Sequence, residues 1–216
     1  MRKTLNLLFP PKCVLCKKIL ETNETDFCHQ CRANAPLCEK STFKLSFLAG
    51  WTSVWYYKDA PRKSVLRYKF SGRRNYAAAY GRALAMKLQK EGKDDFEILT
   101  YIPIAFLRRM KRGYDQVALL AEALGNELNV SPMQTLRKIR NTPPQSGIKD
   151  VARRRANVLG AYRCIDPEMV RGKRVLLLDD VLTTGATASE CARVLLTAGA
   201  KEVFCATLAV REYNTK

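Results

Sequence analysis

Apolar residues along the chain gather into short runs of strand length, separated by longer stretches with a helical period. The strongest run is Val175, Leu176, Leu177 and Leu178, a continuous apolar stretch of the kind found in strands buried on both faces. It is expected to stop at two adjacent carboxylates, Asp179 and Asp180. Beyond the loop that follows, Ala188, Cys191, Ala192 and Leu195 recur on one helical face, and Gly199 is placed to close that helix. A further strand is predicted over residues 202–210. Upstream, residues 50–57 and 97–103 predict two more strands. A helix is predicted over residues 76–89, with Tyr80, Leu84 and Leu88 at i+4 spacing, Asn75 as candidate N-cap and Glu91-Gly92-Lys93 as its end. Another is entered from Lys111-Arg112-Gly113-Tyr114-Asp115-Gln116, with Val117, Leu120, Ala121, Leu124 and Leu128 on one face; residues 104–109 before it read as loop. Pro143-Pro144 forbids helix where it stands. From residue 97 onward the order is strand, helix, basic insertion, strand, helix, strand. That order predicts an α/β fold with a mostly parallel sheet flanked by helices.

Composition changes this picture in two places. With 38 Lys and Arg against 20 Asp and Glu, the formal charge is +18, which favours polyanionic partners, nucleic acid or polyphosphate. The chain has eight cysteines, and five of them lie in the first 38 of its 216 residues. Residues 1–11 lack the apolar core and cleavage site of a secretory signal, and no run approaches the ~18 apolar residues of a membrane span. The expectation is a cytoplasmic protein without membrane insertion, in which clustered cysteine means metal rather than disulfide. Cys13-x-x-Cys16 and Cys28-x-x-Cys31 form two knuckles separated by eleven residues. Each supplies two thiolates at the right bite for tetrahedral zinc, and four thiolates close the site, making it structural. So small a lobe could not bury a sufficient core without the metal. His29, inside the second knuckle, is expected exposed, and Cys38 is a fifth cysteine outside the two Cys-x-x-Cys knuckles. The lobe is expected to end near residue 45, with the main domain over 46–216.

The strand at 175–178 carries the candidate chemistry. In open α/β sheets ligands bind at the carboxyl ends of strands. Here that end presents Asp179 and Asp180, then Val181, Leu182, Thr183, Thr184, Gly185, Ala186 and Thr187 leading into a helix. Backbone N–H groups, hydroxyls and the helix N-terminus can hold a phosphate, while the carboxylates accept hydrogen bonds from vicinal hydroxyls. The combination suits a phosphorylated sugar. Arg108, Arg109, Lys111 and Arg112 follow an earlier strand and are suited to further phosphate contacts. Two other basic stretches surround aromatic or turn residues. Arg62, Lys63, Arg67, Lys69, Arg73 and Arg74, interleaved with Tyr68 and Phe70, read equally as a solvated face or a nucleic-acid surface. The segment with Arg137, Lys138, Arg140, Gln145, Arg153, Arg154, Arg155 and Asn157 reads as a mobile flap over bound polyphosphate or as a surface for single-stranded DNA. For the aromatics of residues 43–57, packing between lobe and main domain is preferred over base stacking.

Asp179 to Thr187 resembles the phosphoribosyl pyrophosphate (PRPP) motif of type I phosphoribosyltransferases. Together with the Cys-x-x-Cys pair, the segment 111–116 and Thr142…Gln145…Arg154-x-x-Asn157, the chain resembles the ComF family, also called GntX-type. The resemblance implies a type I phosphoribosyltransferase-like domain behind a double zinc-ribbon-like lobe of four cysteine ligands. It implies PRPP bound with Mg²⁺, a pyrophosphate loop at Arg108, Arg109, Lys111 and Arg112, and a flap or DNA contact at Arg140, Gln145, Arg154 and Asn157. It further implies a role in natural competence, handling incoming single-stranded DNA beside a partner helicase. A metabolic phosphoribosyltransferase acting on a nucleobase or amine is the competing reading. Acids for the ribose diol and a loop for the 5′-phosphate are both visible, whereas no acceptor pocket is identifiable from sequence, which leaves catalysis open.

Overall fold

The computed structural model describes residues 10–39, 43–142 and 151–212, and of residues 151, 152 and 154 the backbone alone. Elements are numbered in chain order among these residues. Four parallel strands form the central sheet in the order β1 (Gly50–Tyr56), β6 (Glu202–Val210), β5 (Arg174–Leu182), β2 (Ile98–Tyr101). The alternation of side chains along β5 builds two cores. Leu176 and Leu178 face one side, under helices α2 (Asp59–Phe70), α3 (Tyr76–Lys90) and α5 (Gln116–Leu128). Val175 and Leu177 face the other, under α7 (Ala186–Thr197). All four side chains are at most 1% exposed. That is why the run is apolar without alternation. Burying each such side chain stabilises the fold by ~1.5–3 kcal/mol.

The strand at 202–210 is found as expected, and α3 and α5 lie where the periodicity places them. Asp115 caps α5, its Oδ1 accepting from the N–H groups of Val117 and Ala118 at 2.9 and 3.2 Å. Gly199, at φ +100°, lies just past α7. Asn75 precedes α3 in helical conformation and makes no capping bond.

Two expectations need correction, and one stretch to which the sequence assigned no element forms a helix. The strand does not stop at the acids: β5 runs on to Leu182, because β6 is long enough to pair with it as far as Val210. Residues 106–112 are not loop but a short helix, α4 (Phe106–Arg112), ended by Gly113 at φ +73°. The basic stretch 59–70 is helix α2. Its Pro61, Ser64, Val65 and Tyr68 are buried at helical spacing, with the charges between them masking the period. Pro61 is tolerated in the first turn, where its missing N–H has no partner to lose.

Among its described residues the cysteine lobe contains one short helix, α1 (His29–Asn34). Its Cys13, Val14 and Leu15 join the same core as Trp55, Val65, Tyr68 and Tyr80. Trp55 lies between Phe27 and Tyr80, with ring centroids at 5.7 and 6.1 Å. Trp51 donates from Nε1 to the Phe43 carbonyl at 2.8 Å. These aromatics therefore serve packing. A small antiparallel pair, β3 (Leu136–Lys138) and β4 (Tyr162–Cys164), stands beside the main sheet and sets Lys138 opposite Tyr162. Between them in sequence is α6 (Val151–Val158). No helix among the described residues is long and apolar enough to cross a membrane.

Candidate functional site

At the carboxyl ends of β5 and β2 opens a cleft of about 760 Å³, within the usual range for small-molecule sites. Its floor is Asp179 and Asp180. Because side chains alternate along a strand, the two acids turn to opposite faces of the sheet. Asp180 goes to the α2/α5 side, where it is 6% exposed. Its Oδ1 accepts from Lys69 Nζ at 2.7 Å and its Oδ2 from Gln116 Nε2 at 2.8 Å. Gln116 is itself fixed: Arg112 donates to its Oε1 at 2.8 Å and Tyr68 OH to its carbonyl at 2.7 Å. A buried carboxylate is tolerable only when paired in this way. Asp179 goes to the other side and is half-buried. Its Oδ1 accepts from the Asp180 N–H at 2.8 Å. Burial, and next the charge of Asp180, push its pKa up, while Lys69 opposes the shift. On this side, Lys138 Nζ stands 5.1 Å from the centroid of the Tyr162 ring. Burial, and next the charge of Arg108, push the Lys138 pKa down to about 8.

The remaining walls carry positive charge. Arg108, Lys111 and Arg112 on α4 line the cleft with Lys69 and Lys138, five cations facing two carboxylates. Arg112 also stacks over Phe70 at 4.7 Å, and Arg108 donates to the Thr142 carbonyl at 3.0 Å. The end of β5 contributes Val181, the loop after it Thr183, and the first turn of α7 Thr187. Gly185, at φ +72°, makes the turn into α7. A Cβ there would lie 2.2 Å from Leu45 Cδ2, so both the backbone conformation and the neighbouring side chain require glycine.

The structure thus brings together Asp179, Asp180, Val181, Thr183, Thr187, Arg108, Lys111 and Arg112. Leu182, Gly185 and Ala186 are buried behind the cleft surface and shape the loop, and Thr184 Oγ1 accepts from the Ala186 N–H at 3.4 Å. Arg109 points to solvent, since on a helix its neighbours Arg108 and Arg112 take the cleft face. Arg140 and Asn157 do not line the cleft. Gln145 and the side chain of Arg154 lie outside the described residues. Sequence reasoning left Lys69, Gln116, Lys138 and Tyr162 without a site role. Lys69, Gln116 and Lys138 lay within stretches already singled out, Lys138 in the segment read as a flap or DNA surface, and the alternation of β5 together with the period of α2 could have pointed to Lys69. Lys138 and Tyr162 meet through strand pairing across a long insertion, for which the sequence has no local signal.

In the lobe, the Sγ atoms of Cys13, Cys16, Cys28 and Cys31 all lie within 4.8 Å of one another. Cys16 and Cys28 are 3.6 Å apart, close to the ~3.8 Å between thiolates sharing a tetrahedral zinc at ~2.3 Å. The donor set fits that ion. His29 is exposed and outside the cluster. Cys38 is also outside it, buried in the core beside β1, where its carbonyl accepts from Lys87.

Residues 85–216 match the family described as phosphoribosyl transferase domain, and residues 4–44 match the double zinc ribbon domain. The chain belongs to the phosphoribosyl transferase domain family, and the parallel sheet with its flanking helices has the type I fold. Its relatives are of ComF type. The DNA utilization protein YhgH of Salmonella typhimurium is 29% identical over 91% of this chain and 96% of that protein. Competence protein F of Haemophilus influenzae is 23% identical over 89% and 93%. Competence protein ComFC of Bacillus subtilis is 31% identical over 68% of this chain and 58% of that one.

Proposed function

We propose that the cleft binds PRPP and that the protein acts in DNA uptake during natural competence, in contact with single-stranded DNA and a partner helicase in the cytoplasm. The observation that carries the PRPP reading is the convergence of Asp179, Asp180, the Thr183–Thr187 loop and the α4 cations in one cleft. In this reading Asp179 and Asp180 accept from the ribose hydroxyls. The loop holds the 5′-phosphate against the N-terminus of α7, and Arg108, Lys111 and Arg112 hold the pyrophosphate. Mg²⁺ enters with the pyrophosphate. The cleft offers it few oxygen ligands, since Asp180 is already engaged by Lys69 and Gln116, so phosphate oxygens and water supply most of its shell. The ion of the lobe is zinc and its role is structural. The excess of positive charge and the names of the relatives support the DNA role.

Calorimetric titration of PRPP with Mg²⁺ into the wild-type protein and an Asp179→Asn/Asp180→Asn variant tests the site. Binding by the wild type and at least ~100-fold weaker binding by the variant are expected, since each charged hydrogen bond contributes ~1.5–3 kcal/mol. Equal binding by both would place the ligand elsewhere. Affinity for single-stranded DNA should fall steeply with salt and weaken on charge reversal at Arg153 and Arg155; unchanged affinity and salt slope would remove that surface. Pyrophosphate release on adding a nucleobase or amine would instead assign the protein to metabolism.

A further inference from the structure

The cysteine lobe contributes none of the described lining residues of the cleft, yet one helix touches both. On the lobe side of α2, Ser64 Oγ donates to the Val14 carbonyl at 2.6 Å. Arg67 Nη2 donates to the carbonyls of Val14 and Leu15 at 2.9 and 2.6 Å. Those two carbonyls lie between the paired cysteines of the first knuckle, Cys13 and Cys16. Two residues further along the helix, Lys69 reaches Asp180 at 2.7 Å from within the cleft, and Tyr68 holds the Gln116 carbonyl at 2.7 Å. A second tie comes from the segment joining lobe to sheet, whose Leu45 rests against Gly185 of the phosphate-side loop.

We propose that the lobe is a brace for the cleft. Closed on its metal ion, the first knuckle fixes the carbonyls that anchor Arg67 and Ser64, and α2 carries that order to Lys69 and so to Asp180. Metal occupancy then sets how tightly the cleft takes a sugar polyphosphate, although no metal ligand touches it. This rests on the reading of the cleft as a PRPP site. The physical basis is that four thiolates order so small a lobe only while they share the ion, and that a helical turn with fixed contacts on two sides moves as one piece. Linkage makes the coupling reciprocal: PRPP must raise the affinity for the metal by the same factor by which the metal raises the affinity for PRPP.

The test uses the full-length zinc-loaded protein with four variants, Arg67→Met, Arg67→Lys, Lys69→Met and Lys69→Arg. PRPP binding is followed by calorimetry, and hydrogen exchange of residues 59–70 by mass spectrometry. Arg67→Met should keep its zinc and fold, exchange faster in α2, and bind PRPP about tenfold more weakly. Lys69→Met should lose at least as much affinity, and each conservative variant should recover part of the loss. PRPP should slow zinc loss to a chelator. An Arg67→Met variant with wild-type affinity and wild-type exchange in α2 would overturn the brace. Failure of the wild type to bind PRPP would overturn the site reading instead. The brace would then be decided by exchange alone: faster exchange of α2 in Arg67→Met upholds it, and unchanged exchange rejects it.

Discussion

The cysteine lobe and the cleft are ordered by different physics. The lobe draws its four ligands from residues 13–31 and, among the described residues, contains a single helix of six residues. Its Sγ atoms converge because two short knuckles each fix a pair, and a metal ion can do the rest. The cleft draws its lining from α2, α4, α5, α6, α7, β3, β4 and β5 and the loops between them, from Tyr57 to Thr187. The contacts that hold Asp180 there come from far along the chain. Asp180 is held by Lys69 from one helix and Gln116 from another, and each of those depends on the packing of its helix against the sheet. Local spacing therefore suffices to specify metal coordination, whereas a site built from long-range contacts exists only once the sheet and helices have assembled.

The comparison is broken most severely by removing the metal. Cys13→Ser with Cys28→Ser should abolish zinc binding, with loss of several kcal/mol from the lobe and exposure of the core that Val14 and Leu15 share with Tyr68 and Tyr80. Zinc content by mass spectrometry unchanged from the wild type would show that these four thiols are not the ligands. Gly185→Ala comes next. An alanine at φ +72° with Leu45 Cδ2 only 2.2 Å from its Cβ should cost about 2–4 kcal/mol, lowering Tm by several degrees while zinc stays bound. A Tm within one degree of wild type, set against the ~2–4 °C expected per kcal/mol for a protein of this size, would mean the loop relaxes without strain.

The smallest effect sharpens the comparison by reversing its sign. Asp179 has a folded pKa raised by burial and by the charge of Asp180, with Asp115 adding to the rise and Lys69 opposing it. A raised acid binds its proton more tightly in the folded state. It therefore costs stability as pH climbs from the ordinary aspartate range through the folded value, and that cost is full above it. Asp179→Asn removes the charge, so its Tm should exceed that of the wild type by a few degrees at pH 8 and by little at pH 4. A Tm gain equal at both pH values would show that the carboxyl is not strained by its surroundings.

Legibility followed the same division. The strand at 175–178, the helices α3 and α5 and the strand at 202–210 were readable because burial imposes a local period on each. Helix α2 was hidden, since Arg62, Lys63, Arg67 and Lys69 interrupt the apolar pattern of Pro61, Val65 and Tyr68. Helix α4 was hidden because it buries nothing. In the site, Asp179, Asp180 and the Thr183–Thr187 loop were legible as a continuous motif, and Arg108, Lys111 and Arg112 by their place after a strand. Lys69, Lys138 and Tyr162 were not, since what makes them site residues is their distance to groups far away in the chain.

The sequence by itself determined the ligand set of the lobe, the α/β class, the central strand and the acids with their loop. These rest on residue types at short, fixed spacing, which the backbone converts directly into geometry. The tertiary structure alone decided that β5 continues through the acids and turns them to opposite faces. It alone decided that Lys69 and Gln116 meet on Asp180, and that α2 spans from the first cysteine knuckle to the cleft floor. Those outcomes depend on which strands pair and for how long, and on which helix face the core claims. Both are settled by burial across the whole molecule rather than by any stretch of the chain.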